Sequence, residues 1–158
     1  KIAEFKSLIV NKDVNFETEI EYLTSREDEL EKQKDELLSK YVQRKTFGDK
    51  LQELIAAKGM KNSDVYNKAG IDRKYFSNVC NRNKHRPSKK RVYLLSLALE
   101  LDLEETKDLL ARAEWASEPQ TEMELIVQEA ILNRKYDIFA LNEELERKTG
   151  KILDDWKD

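Results

Sequence analysis

The stretch Asn62-Ser63-Asp64-Val65-Tyr66-Asn67-Lys68-Ala69-Gly70-Ile71-Asp72-Arg73-Lys74-Tyr75-Phe76-Ser77-Asn78-Val79-Cys80 decides how this chain reads. Ser63 can accept a hydrogen bond from the first free N–H groups of a very short helix carrying Val65 and Tyr66. That helix must stop at Ala69-Gly70, because Gly70 supplies the left-handed residue that closes a helix at little steric cost. Asp72 can cap the next helix. There Tyr75, Phe76 and Val79 fall inward at helical spacing, and Arg73, Lys74, Ser77, Asn78 and Asn81 fall outward. A short helix, a glycine turn and a capped helix with a cationic, amide-bearing outer face make a helix-turn-helix organisation.

Moving outward, Thr46 with Asp49 three residues later opens a helix that turns Phe47, Leu51, Leu54 and Ile55 inward and ends at Gly59. On the other side, Asn83-Lys84-His85-Arg86-Pro87-Ser88 reads as a loop, since Pro87 disfavours helical geometry at Arg86. Ser88 can cap a helix over residues 89–101. Its Val92, Leu94, Leu95, Leu97, Ala98 and Leu101 cover so wide an arc that it should be the central core element. Asp102 with Glu105 starts one more, bearing Leu103, Leu109, Leu110 and Ala113. The spacing thus predicts five short helices between Thr46 and Trp115.

Further out, residues 16–45 contain no Gly or Pro, and Ile20, Leu23, Leu30, Leu37 and Tyr41 fall on alternating three- and four-residue steps. This predicts an amphipathic helix about 45 Å long. Leu23, Leu30 and Leu37 lie seven apart, with polar Glu27 and Lys34 interrupting the seam. The pattern suits coiled-coil pairing with a second copy and equally suits packing back on the body. Ile2, Phe5, Leu8 and Ile9 suggest a separate short helix ending near Asn11. After Trp115, Thr121 and Glu124 form a capping-box pattern ahead of Met123, Ile126, Val127, Ala130 and Ile131, with an end near Asn133. Tyr136-Asp137-Ile138-Phe139 opens a last helix, continued by Leu141 and Leu145 and closed at Thr149-Gly150. Ile152, Leu153 and Trp156 should dock on the body. The chain therefore divides, by its sequence, into residues 1–45, 46–116 and 117–158.

Charge points to the partner. Of 158 residues, 39% are charged, and the net charge of −3 hides a segregation. Residues 1–45 carry 9 basic and 11 acidic side chains, residues 46–91 carry 12 and 4, and residues 92–158 carry 8 and 17. Arg73 to Arg91 holds eight cations and no acid, which suits a polyanion. With 4 Gly and 2 Pro the chain favours helix over strand, so the fold class is all-α. The longest apolar stretch, residues 92–103, is too short and too charged to cross a bilayer. One cysteine, Cys80, permits no intrachain disulfide and points to a reducing, cytoplasmic setting. Lys1 in place of an initiator Met leaves room for a longer parent chain.

On Val65, Ala69-Gly70-Ile71, Tyr75-Phe76, Val79, Arg86-Pro87-Ser88 and Leu94 to Leu110, residues 46–115 resemble the Cro and λ-repressor-like (XRE) family. The resemblance implies a five-helix domain, here with a long N-terminal helix and a two-helix C-terminal extension. It also implies that Arg73, Lys74, Ser77, Asn78 and Asn81 face bases. Arg73 and Lys74 have the donors that suit guanine, and Asn78 suits adenine. Asn62 and Ser63, at a helix N-terminus, would clamp phosphate. Arg82, Lys84, His85, Arg86, Lys89 and Lys90 would add contacts to the sugar-phosphate backbone. One departure is Tyr66, where that family usually has a small Ala on the inner side of the second helix. The segment from Glu124-Leu125-Ile126 through Tyr136-Asp137-Ile138-Phe139 is similar to tails of bacterial and phage XRE-like proteins that accompany conflict and signalling modules.

These readings imply a repressor-type regulator that binds double-stranded DNA as a homodimer, through its N-terminal helix, its C-terminal extension or both. The competing reading is a protein-interaction or adaptor module of a bacterial or phage conflict or signalling system, attached by the helix over residues 16–45 to a longer effector protein. Neither requires catalysis or a cofactor. Cys80 lacks a neighbouring His and Asp, and His85 is the only histidine, so neither a nucleophile–base pair nor a metal cluster is expected. Glu104-Glu105 and Asp154-Asp155 read as charged surface.

Overall fold

A computed structural model describes residues 16–43, 45–81 and 85–157. Among these, every regular element is helical. The chain forms two compact units, Lys1–Arg44 and Lys45–Asp158. The first contains α1, Phe16–Gln43, a 28-residue helix with Glu17 and Glu19 in its first turn, where the helix dipole favours negative charge. It ends two residues before Lys45, where the sequence pattern placed its end. The short helix expected before Asn11 lies outside the described residues.

The second unit carries α2 (Phe47–Ala57), α3 (Asn62–Ala69), α4 (Arg73–Cys80), α5 (Lys89–Ala98), α6 (Leu103–Arg112), α7 (Glu122–Leu132), α8 (Ile138–Thr149) and a 3-10 turn at Leu153–Asp155. Most helix starts are fixed by a local side chain. Thr46 accepts from Asp49 N–H, Asp72 from Tyr75, Ser88 from Arg91, Thr121 from Glu124, and Asp137 from Phe139 and Ala140. Asp102 and Glu105 cap each other's backbone in both directions.

Two starts differ from expectation. The residue before α3 is Lys61 rather than Ser63, and it is the Asp64 carboxylate that reaches back, accepting the Lys61 N–H at 3.4 Å. At α7, Thr121 caps as expected, yet Glu124 does not return the favour to Thr121; its carboxylate is drawn into the interior. The α5 helix also stops at Ala98, three residues early, because Leu99 begins the turn through left-handed Glu100.

A single apolar core serves the whole second unit. It runs from Phe47 and Leu51 through Val65, Phe76, Val92, Leu97 and Leu109 to Ile126, Val127, Leu141, Leu145 and Leu153. The α5 helix is its centre, packed on α3 and α6. Tyr93, expected nowhere in the core, is fully buried there, while Leu94 is only half-buried. The terminal segment docks as expected: Leu153 is buried and the Trp156 ring lies 5.4 Å from that of Tyr93. Leu153 N–H also donates to Asn142 Oδ1 at 2.9 Å. Among the described residues no helix is long and apolar enough to cross a membrane.

Candidate nucleic-acid interface

Gly70, at φ +69°, closes α3 and lets α4 start three residues later at an angle to it. The Ile71 N–H completes the turn on the Tyr66 carbonyl at 2.8 Å. Phe76 and Val79 are buried, so the opposite side of α4 faces outward. Along it Arg73, Ser77 and Cys80 form one stripe, and Lys74, Asn78 and Asn81 the next, at four- and three-residue steps. Arg73, Lys74, Ser77 and Asn81 are exposed and Asn78 is half-buried. Among the described residues no carboxylate pairs with Arg73 or Lys74.

The first stripe lines an open groove of ≈ 620 Å³ whose other walls are Gln52, Lys61, Asn62, Ser63, Tyr66 and Phe76. None of the lining residues is acidic. The first turn of α3 thus lines the same groove as the outer face of α4, and the first N–H groups of a helix have no intrahelical partner. Tyr66 does not wedge the two helices apart: half-buried, its ring tilts 51° against Phe76 at 5.4 Å and forms part of the groove wall. Two wall residues, Gln52 and Lys61, escaped the sequence reading. Lys61 sits one residue outside the helix and looked like linker, and nothing local ties Gln52 on α2 to α4.

The underside of α4 is held at close range. A Cβ added to Gly48 on α2 would lie 2.8 Å from the Cys80 carbonyl oxygen, so the two backbones touch where only glycine leaves room. Gln52 Nε2 donates to Cys80 Sγ at 3.2 Å. Burial pushes the Cys80 thiol above its ordinary pKa, with that hydrogen bond opposing, which disfavours the nucleophilic thiolate.

The backbone contacts expected after α4 divide sharply. His85 is exposed and stacks on Tyr75 at 6.3 Å, and the Arg91 guanidinium lies 4.2 Å from the centroid of the same Tyr75 ring. Tyr75 Oη accepts the Ser88 N–H at 2.9 Å, pinning this loop to α4. Arg82 and Lys84 lie outside the described residues. Lys90 is half-buried.

Arg86 and Lys89, both expected at phosphate, have their cationic groups engaged by the protein itself, Arg86 at the exposed surface and Lys89 in the interior. Arg86 Nε donates to Ala113 O at 2.8 Å and Nη2 to Glu114 O at 2.7 Å, with its guanidinium 3.6 Å from the Trp115 ring centroid. Trp115 Nε1 in turn donates to Pro87 O. Lys89 is 7% exposed, and its Nζ donates to Glu124 Oε1 at 2.6 Å. Tyr93 Oη donates to Glu124 Oε2 at 2.9 Å and accepts from Gln128 Nε2 at 2.9 Å. Gln128 also reaches Ser117 O, and burial pushes the Tyr93 phenol far above its usual range.

No family model matches the chain, and no curated protein or solved structure matches it. Among the described residues no group of His, Cys, Asp and Glu could hold a metal ion.

Proposed function

We propose that the chain is a DNA-binding transcription regulator of the repressor type, in which α3 and α4 act as a helix-turn-helix and α4 enters the major groove. The observation that carries this reading is the acid-free groove joining Arg73 and Ser77 on α4 to Lys61, Asn62 and Ser63 at the start of α3. Base-edge recognition needs donors at one end and one face of a single helix, with backbone anchors beside it. Arg73, Lys74, Ser77, Asn78 and Asn81 supply the first. The α3 N-terminus and Lys61 supply the second. Two copies would place two α4 helices in successive major grooves.

Fluorescence anisotropy with a random duplex at about 50 mM and about 200 mM salt tests the reading, since charge-driven duplex binding weakens steeply with salt. On a selected site, Arg73→Ala should cost about 1–3 kcal/mol and relax sequence preference. Lys61→Ala should weaken all sequences alike and lower the salt slope by about one. Absence of duplex binding at the lower salt would remove the reading.

A second reading is an adaptor module. It draws support from residues 92–158, with 8 basic and 17 acidic side chains, and from Leu125, Leu132 and Phe139, which stand exposed on α7 and α8. An acidic surface with exposed large apolar groups suits a protein partner better than a polyanion. This reading survives failure of the duplex assay.

A further inference from the structure

Along α1 the described residues leave an apolar seam exposed. Leu30 is 55% and Leu37 66% exposed, and Ile20 and Leu23 continue the same stripe half-buried. Tyr22 and Leu38 add exposed apolar surface on either side. A helix of 28 residues gains most of its stability from covering such a stripe, not from backbone propensity. Steps of three and four residues keep the stripe on one side only if a second helix winds along it.

Charge selects both the occupant and its direction. Residues 16–29 hold six acidic and one basic side chain, and residues 30–43 hold three of each. Two copies aligned in the same direction would lay the strongly acidic half on its like. They would also set Glu27 against Glu27 and Lys34 against Lys34 within the seam, where like charges are costly. Reversing one copy lays the acidic half on the neutral half, separates the two Lys34 side chains by eleven residues, and staggers the two Glu27 side chains by three, about 4.5 Å along the axis, instead of setting them face to face.

We propose that α1 pairs antiparallel with α1 of a second copy, with Ile20 opposite Leu37, Leu23 opposite Lys34, and Glu27 opposite Leu30. In that register Glu27 of one copy and Lys34 of the other are offset by four residues, about 6 Å along the axis, within reach of each other's long side chains. The pairing stands apart from the duplex reading, and its test contains no nucleic acid.

Sedimentation equilibrium of the full chain should give twice the monomer mass, dissociating on dilution because few seam positions are apolar. Leu30→Glu should return the mass to monomer while the thermal melt of the second unit stays unchanged. Direction is read by disulfide capture in a Cys80→Ser background. A mixture of Leu23→Cys and Lys34→Cys chains should cross-link to each other, and Leu23→Cys alone should not. A monomer at every concentration overturns the proposal, as does a dimer that survives Leu30→Glu, or capture of Leu23→Cys with itself in preference to the mixed pair.

Discussion

Lys89 shows how far a residue's surroundings can overrule its sequence context. It lies in an acid-free basic run next to a loop, yet its ammonium is held between α5 and α7 by a carboxylate 35 residues away. Removing one partner of a buried pair leaves the other charge without compensation, so Lys89→Ala should destabilise by about 3–5 kcal/mol in chemical denaturation. Lys89→Met combined with Glu124→Leu should recover most of that loss, since the cost lies in the orphaned charge. Within the folded population Lys89→Ala should leave the salt slope of duplex binding unchanged, unlike Lys61→Ala. The groups of Arg73, Lys74, Ser77, Asn78 and Asn81 were legible because a helix fixes its outer face from its inner one. Lys89 and Arg86 were not, because their partners come from α7 and from the end of α6, and no local spacing records that.

At the scale of elements, starts were easier to read than stops. A cap acts over three residues, so Thr46, Asp72, Ser88, Asp102, Thr121 and Asp137 announce α2, α4, α5, α6, α7 and α8. The ends of α5, α6 and α7 are closed instead by Glu100, Glu114 and Arg134 at φ of 52°, 63° and 56°, where glycine would be the usual signal. Left-handed geometry costs an ordinary residue about 1–2 kcal/mol, partly offset by glycine's greater freedom when unfolded. Each of Glu100→Gly, Glu114→Gly and Arg134→Gly should therefore raise stability by up to about 1 kcal/mol, read as a higher melting temperature. The opposite sign holds at Gly48. There Gly48→Ala drives a methyl group into the backbone of α4 and should destabilise by about 1–3 kcal/mol. It should also weaken duplex binding beyond the loss of folded protein, because α4 must shift to make room. Tyr93 escaped detection for a related reason: from Val92 to Ala98 α5 is apolar apart from Ser96, so its inner face has no edge in the sequence.

For the molecule as a whole, the all-helical class and the docking of the tail at Leu153 and Trp156 followed from composition and spacing, whereas the sharing of one core by α7, α8 and the body did not. The sequence suggested a boundary near Ala116, but Ile126, Val127, Leu141, Leu145 and Leu153 share one core with Leu51, Val92 and Leu109. A chain ending at Ala116 should lose its cooperative thermal transition and bind hydrophobic dyes, since it uncovers Tyr93 and strands Lys89. Intact protein should melt in one step across the second unit, because burying a fully covered Leu or Ile is worth about 1.5–3 kcal/mol and these side chains are shared.

The Glu124 carboxylate, reached from α5 by both Lys89 and Tyr93, makes the acidic end of the chain a custodian of charge for its basic middle. If the duplex reading holds, a ligand that levered α7 off α5 would free a cation at the start of α5, beside the loop that follows α4, and so link docking on α7 to anion binding through a single side chain.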